Sequence, residues 1–396
     1  MSSEITDLEK SILATAVYYD LFDYPLTGFE IFLYLVKSYR LKPELQNLKP
    51  ESQIHNSQFA ILDSLDNSEY LKKHFDQEKG FYFLKGREGI VRQRLERKKI
   101  ADRKWKKIKP VFKVLQIVPF VKFMMVSGSL AMGNSKKESD IDLIIVAKKG
   151  RIWTARTLVT LLTSVLGVRR RGNITEDKIC LNHYITDQSL RIPFESLYNA
   201  QSYCHLISVY NACHSREGGN PLLSPYFVKS QAMNDKTSGN IEFRAKHGMA
   251  GNSDLKLCQD FQKANQWIKK YVCQYPKITL GNRRSVKRNK LYFYAAEFFE
   301  KILSGKAGDY FERRLGKWQA RRIKNVGVRN VKTQNVGTQN FVSLRDGRIT
   351  INENQLEFHP HSREAKIIPE FNKRMEKLGL LEFAGQKDSG LTFCSS

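Results

Sequence analysis

Acidic residues, cysteines and extended apolar stretches are all in short supply in this chain, and each shortage removes a class of protein. The longest apolar stretch near a helix, Leu158 to Val168, is broken by threonine and serine and falls well short of the ~20 residues that span a bilayer. The opening MSSEITDLEK is polar and acidic where a secretory leader carries a basic region and an apolar core. Both features predict a cytoplasmic protein with no membrane partner. Six cysteines, at positions 180, 204, 213, 258, 273 and 394, never fall at C-x-x-C spacing, so they read as reduced packing residues and not as a zinc site. Against 40 acids stand 66 lysines and arginines, a net charge of +26 that solubility does not require and that predicts a polyanionic partner.

What is present is concentrated in VSGSLAMGNSKKESDIDLIIV, Val126 to Val146. Val121 to Val126 is a short apolar run bounded by Ser127-Gly128 and predicts a buried strand. Gly128 permits close backbone approach or a positive φ, and Ser129 is placed to cap a short helix through Leu130, Ala131 and Met132, whose free amides favour an anion. After a polar loop comes a second apolar strand opening Asp140-Ile141-Asp142. Its period of two sends both carboxylates to one side. Two acids that close repel, so the arrangement predicts a divalent cation between them. Magnesium (Mg2+) suits it, because that ion takes one or two carboxylates and completes its shell with water and substrate phosphates.

Ten residues separate Ser129 from Asp140, and this G-S-spacer-D-x-D pattern, with Ala131 and Gly133 extending it, resembles the nucleotidyltransferase superfamily related to DNA polymerase β. The resemblance covers roughly residues 121 to 187. It implies that Gly128 and Ser129 hold the phosphates of a nucleoside triphosphate, assisted by Lys136 or Lys137, and that Asp140 and Asp142 bind magnesium and carry catalysis. The implied reaction transfers a nucleoside monophosphate to a hydroxyl acceptor and releases pyrophosphate. Two positions depart from the pattern. Met132 stands where many relatives have arginine, a charge that Lys136, Lys137 or Arg151 would have to supply. The third carboxylate that relatives carry on a following strand is missing from Lys178 to Thr186, where Asn182 and His183 occupy the expected place and Asp187 lies just beyond. A nucleic-acid-binding regulator with a degenerate core is therefore the rival reading, and an enzyme that nucleotidylates a protein acceptor is a third.

The rest of the chain divides around that core. The expected fold is α+β: a nucleotidyltransferase core at 111–212 with a small mixed sheet flanked by helices, an N-terminal module at 1–110 and a helical C-terminal region at 255–396. In the N-terminal part, Ile5, Leu8, Ile12, Ala16 and Tyr19 recur at helical spacing, Thr27 to Glu30 is a capping box, and Phe59, Leu62 and Leu65 predict a third helix. Tyr70 to Phe75 and Gly80 to Leu84 are expected as two strands, and three helices with a hairpin resemble a winged helix. Basic residues crowd Arg87 to Lys109, Arg283 to Arg288 and Arg313 to Arg322, the stretches expected to meet nucleic acid. Trp105, Phe311 and Trp318 lie among them and are expected to pack inward. Further helices are predicted at Arg151 to Gly167, Glu195 to Cys213, Leu255 to Tyr275, Leu291 to Leu303, Asp309 to Lys324 and Arg363 to Leu378. Residues 213–254 read as a polar, disordered insertion and 325–340 as a low-complexity linker. A hairpin is expected around Asp346-Gly347, and His359-Pro360-His361 is too isolated to argue a metal site.

Overall fold

The computed structural model describes residues 5–38, 52–211, 252–276, 278, 284–328, 341–344, 347–359 and 362–385. Most of the expected insertion and linker, and Pro360 and His361, lie outside the described residues. The N-terminal part holds α1 (Asp7–Asp20), β1 (Leu26–Thr27), α2 (Gly28–Leu33), α3 (Ser52–Asn67), α4 (Glu69–His74), β2 (Phe75–Glu78) and β3 (Phe81–Leu84). The middle holds α5 (Ile90–Leu115), β4 (Val121–Ser127), α6 (Gly128–Met132), β5 (Ile141–Ala147), α7 (Ile152–Val165), β6 (Ile179–Thr186), α8 (Leu197–Cys204) and β7 (Ile207–Asn211). Beyond it come α9 (Asn252–Ala264), a short 3-10 helix (Gln266–Lys270), α10 (Lys290–Ile302), α11 (Lys306–Val328), β8 (Phe341–Leu344), β9 (Gly347–Ile351), β10 (Gln355–His359) and α12 (Glu364–Lys377).

The fold is mixed α and β, as the α+β expectation requires, with two sheets among the described residues. The larger has seven strands in the order β7-β4-β5-β6-β10-β9-β8, antiparallel except for the parallel pair β5 and β6. Strands β4 and β5 are apolar on both faces because both faces are covered. Met124, Val126, Leu143 and Ile145 pack with α5 and α7, while Phe123, Met125, Ile144 and Val146 pack with α8, α9 and Trp267. Three expectations need correcting. Tyr70 to Phe75 is not a strand: Ser68 caps Leu71, and α4 follows, with β2 starting only at Phe75. The helix expected from Glu195 to Cys213 ends at Cys204, after which Ile207 to Asn211 pairs with the free edge of β4. The two strands expected on either side of Asp346-Gly347 do pair, as β8 and β9, but the sheet is not small, since β10 closes the outer edge of β6 and brings β9 and β8 with it.

The long basic helix α5 joins the N-terminal part to the large sheet. Val91, Arg94, Arg97, Ala101, Lys104, Trp105 and Ile108 recur at helical spacing and are buried on one side. The cations on that inner stripe are paired internally: Arg94 with Glu30, Arg97 with Asp23 and Lys104 with Asp177, where Lys107 joins from the rim. Four cations of the stretch expected to meet nucleic acid thus hold the fold together instead. Burial alone would raise the pKa of Asp23, Glu30 and Asp177, but the facing guanidinium and ammonium groups outweigh it and hold each carboxyl below its usual value. A depressed carboxyl contributes stability that is complete above its unfolded pKa, near 3.8 for Asp and 4.5 for Glu, and is lost as pH falls through the folded value. The melting temperature is therefore expected to decline gently below about pH 6.5, where buried His205 stays neutral while the unfolded imidazole takes a proton, and to drop steeply below about pH 4.5 as these carboxyls titrate. Thermal melts across pH 7 to 2.5 check this, and a profile flat down to pH 3 would contradict it.

Candidate functional site

Strand β4 ends at Ser127, and the chain turns into α6 at Gly128 with φ of 66°. A Cβ on Gly128 would lie 2.4 Å from Oδ2 of Asp142, so both the backbone conformation and the close approach of that carboxylate require glycine. The register sets Ser127 opposite Asp142 across the β4–β5 pair, which brings the turn onto the acidic strand. Ser127, not Ser129, stands at the N-cap of α6, and its side chain makes no capping bond. Ser129 instead lies in the first turn and lines a cavity. The polar loop that follows is pinned from below. Buried Lys104 donates to the carbonyls of Lys137 and Ser139 at 2.8 and 2.9 Å and to Asp177 at 2.8 Å. Arg97 and the Phe22 carbonyl hold Asn134 at the other end.

Asp140 and Asp142 come together as the period of two predicts, and a third group joins them from β6. One oxygen of each carboxylate and the Sγ of Cys180 lie within 4.8 Å of one another. Cys180 is in register with Asp142, whereas His183 is in register with Ile144 and, on its other side, with the fully buried Glu357 of β10. The two steps from Asp142 to Ile144 span three residues of β6, so a bulge shifts the phase of that strand and Cys180, not Asn182 or His183, stands beside the acidic pair. Asp187 lies at the opposite end of the strand, accepting from the Lys149 amide. Burial, then the charges of Asp142 and Asp140, push the Cys180 thiol up to about 12, so it is a neutral group at physiological pH. Arg170 pairs with Asp140 and reaches within 3.8 Å of the Cys180 sulfur.

The donor set fits one hard divalent ion held by two carboxylates, with the thiol beside it as a poor ligand for magnesium. Replacing Cys180 with aspartate would put a third carboxylate where the pair already converges. Cys180→Asp is expected to tighten magnesium binding on the order of tenfold and to lower the melting temperature of the metal-free protein through added repulsion. Calorimetric titration with magnesium decides it, and no binding or unchanged affinity would count against the acidic pair as a magnesium site.

The turn opens on a cavity of about 410 Å³. Its walls come from α6 and its loop (Gly128, Ser129, Met132, Asn134), from the end of α1 (Tyr18, Tyr19, Phe22) and from α8 and its cap (Tyr198, Gln201, Ser202, His205). His205 is buried, its ring centroid 4.0 Å from that of Tyr34 and its Nε2 2.7 Å from the Tyr19 hydroxyl, which also donates to Gln201. Burial pulls its pKa down to about 4, so the wall is uncharged there. The rim is cationic: Lys136, Arg363 and Lys366 are exposed and have no acidic partner among the described residues. Of the three residues expected to replace the arginine missing at Met132, only Lys136 lines the cavity. Lys137 is exposed outside it, and Arg151 is bound to Asp309. Cys180 and the α1 and α8 walls are the parts of the site that the sequence did not announce. Compared with protein-family models, curated proteins and solved structures, the chain matches none.

Proposed function

We propose that the protein is a magnesium-dependent nucleotidyltransferase, moving a nucleoside monophosphate from a nucleoside triphosphate to a hydroxyl acceptor. The observation that carries this reading is the contact between Asp142 and the Gly128 turn, because Gly128 and Ser129 in turn line a cavity large enough for a nucleoside and rimmed by cations, although the acidic pair itself does not line it. Gly128 and Ser129 present backbone amides to the triphosphate, and Lys136, from the rim, neutralises part of its charge. Asp140 and Asp142 hold magnesium, which when bound offsets the triphosphate charge and lowers the pKa of the attacking hydroxyl. The acceptor oxygen forms its bond to the α-phosphorus as the bond to pyrophosphate breaks in line, and the acceptor proton leaves to solvent or a substrate phosphate.

The N-terminal helices and the sheet order β1-β3-β2 support a winged-helix-like reading of that module. Its third helix carries Asp63 and Asp66 and no lysine or arginine, which suits it poorly to phosphate. In this reading the module is a wall of the nucleotide cavity. A second reading, a regulator with a degenerate core, is favoured by Cys180 in the third-acid position and by the Arg170 guanidinium on Asp140.

The test is pyrophosphate release from each of the four ribonucleoside triphosphates, with total RNA or protein extract as acceptor. Release that needs magnesium and stops with a chelator is the expected result. Triphosphate binding without release under every condition would favour the regulator.

A further inference from the structure

Trp318 and Phe311, expected to pack inward, are 56% and 54% exposed, whereas Trp105 is buried. The orientation of α11 is fixed from its other side. Glu312 accepts from the amides of Trp153 and Thr154 at the start of α7, both at 2.9 Å, and Gln319 donates to the Thr157 hydroxyl at 2.8 Å. A Cβ on Gly316 would lie 2.9 Å from Trp153 Nε1, so the helices are in close contact there. What remains outside is Tyr310, Arg314, Trp318 and Arg322, four residues at steps of four along one line. The Arg314 guanidinium lies 5.4 Å from the Tyr310 ring and that of Arg322 lies 5.8 Å from the Trp318 ring. Arg313, Lys317 and Arg321 flank the line, and none of these five cations has an acidic partner among the described residues.

We infer that this outer face of α11 binds single-stranded nucleic acid, with Tyr310 and Trp318 as stacking platforms and the arginines between them on phosphates. Rings spaced eight residues apart stand about 12 Å apart along the axis, too far for a single base to bridge and suited to alternate bases of an extended strand. Unstacked bases offer faces to such rings, whereas a duplex keeps its faces covered. A protein partner would match the rings but not the excess of positive charge. The line also leads toward the candidate site: Arg322 is near enough to Arg169 for their like charges to act on each other, and the next residue, Arg170, sits on Asp140. Phosphates laid across Arg322 and Arg169 relieve that repulsion. If the transferase reading holds, the terminal hydroxyl of such a strand is the natural acceptor, but binding to α11 does not depend on it.

Fluorescence anisotropy with a labelled 20-nucleotide RNA, the same sequence as DNA, and their duplexes tests this without metal or triphosphate, so the catalytic reading stands or falls separately. Single strands are expected to bind at least about tenfold more tightly than duplexes, with the RNA and DNA arms naming the natural class. Tyr310→Ala and Trp318→Ala should each weaken binding about tenfold. Arg314→Glu/Arg322→Glu should weaken it further and flatten the slope against log salt by about 1.4. Because the rings are more than half exposed, melting temperatures should not move. Equal affinity in the Tyr310→Ala/Trp318→Ala protein overturns the inference, as does tighter binding to duplex. It is likewise overturned if that variant keeps its nucleic-acid affinity and loses instead either binding to phosphatidylserine–phosphatidylcholine vesicles or a self-association seen in sedimentation.

Discussion

Asp142→Asn is expected to reduce the proposed magnesium-dependent pyrophosphate release by about 1000-fold or more, since a bound metal contributes several kcal/mol and each 1.36 kcal/mol is tenfold in rate. The substitution keeps the shape of the side chain beside Gly128 and removes only its charge. The melting temperature should stay within a few degrees of the parent, because the loss of one of two repelling carboxylates costs the metal-free fold little. Asp142→Glu is not expected to rescue activity: Oδ2 already occupies the space that a Gly128 side chain would need, and an added methylene has nowhere to go. Gly128→Ala should fail for the same reason, with the added strain of φ at 66°. Steady-state pyrophosphate assays on the three proteins, with thermal melts alongside, make the comparison. Full activity in Asp142→Asn would detach the acidic pair from the chemistry and end the transferase reading.

The second large effect concerns stability. Arg94 is buried, donates to the Pro25 carbonyl and to the Tyr24 hydroxyl, and pairs with Glu30, which also closes the capping box of α2 with Thr27. Its guanidinium lies 3.9 Å from the centre of the Tyr24 ring. Arg94→Met keeps the apolar stem but leaves the partly buried Glu30 without its counter-charge, a loss of up to roughly 3 kcal/mol, the low end of the range for a broken buried pair. Glu30→Gln retains the capping geometry and removes the stranded charge. The double variant Arg94→Met/Glu30→Gln should therefore recover a large part of what Arg94→Met loses, and urea midpoints of the three variants measure it. A single Arg94→Met variant as stable as the parent would mean that water reaches Glu30 freely.

Residues whose role is set by near neighbours in sequence were legible. The alternation of Asp140-Ile141-Asp142 placed both carboxylates on one side, and the bounds of β4, β6 and α7 follow from local apolar pattern and turn residues. Thr27 and Glu30 form the capping box that their spacing foretold. What was hidden depends on distant chain. Cys180 is beside Asp142 only because a bulge shifts the phase of β6, and no local signal in ICLNHYIT marks where the extra residue falls. The pairing of Glu357 with His183 joins strands more than 150 residues apart, so the C-terminal strands gave no sign of belonging to the sheet. Arg94 and Arg97 look like any solvent-facing cations until Glu30 and Asp23 are brought against them. The error over Trp318 came from treating an aromatic as core by default, when its helix had already spent its inner face on Glu312, Gly316 and Gln319.

The apolar core of the N-terminal part has one further consequence, for the order in which the chain takes shape. Ile12, Leu13 and Tyr18 of α1 share that core with Ile368, Phe371 and Met375 of α12, and Tyr18 meets Phe371 edge to face with ring centres 5.9 Å apart. Arg374 of α12 completes the seam on Asp20 at 2.7 Å. These groups are roughly 350 positions apart, and at about 5–20 residues per second a ribosome needs some tens of seconds to supply the second half. The first helix thus waits, half covered, through most of synthesis, exposed to chaperones and proteases. A chain interrupted before α12 would be recognised as unfinished at its beginning, not at its end.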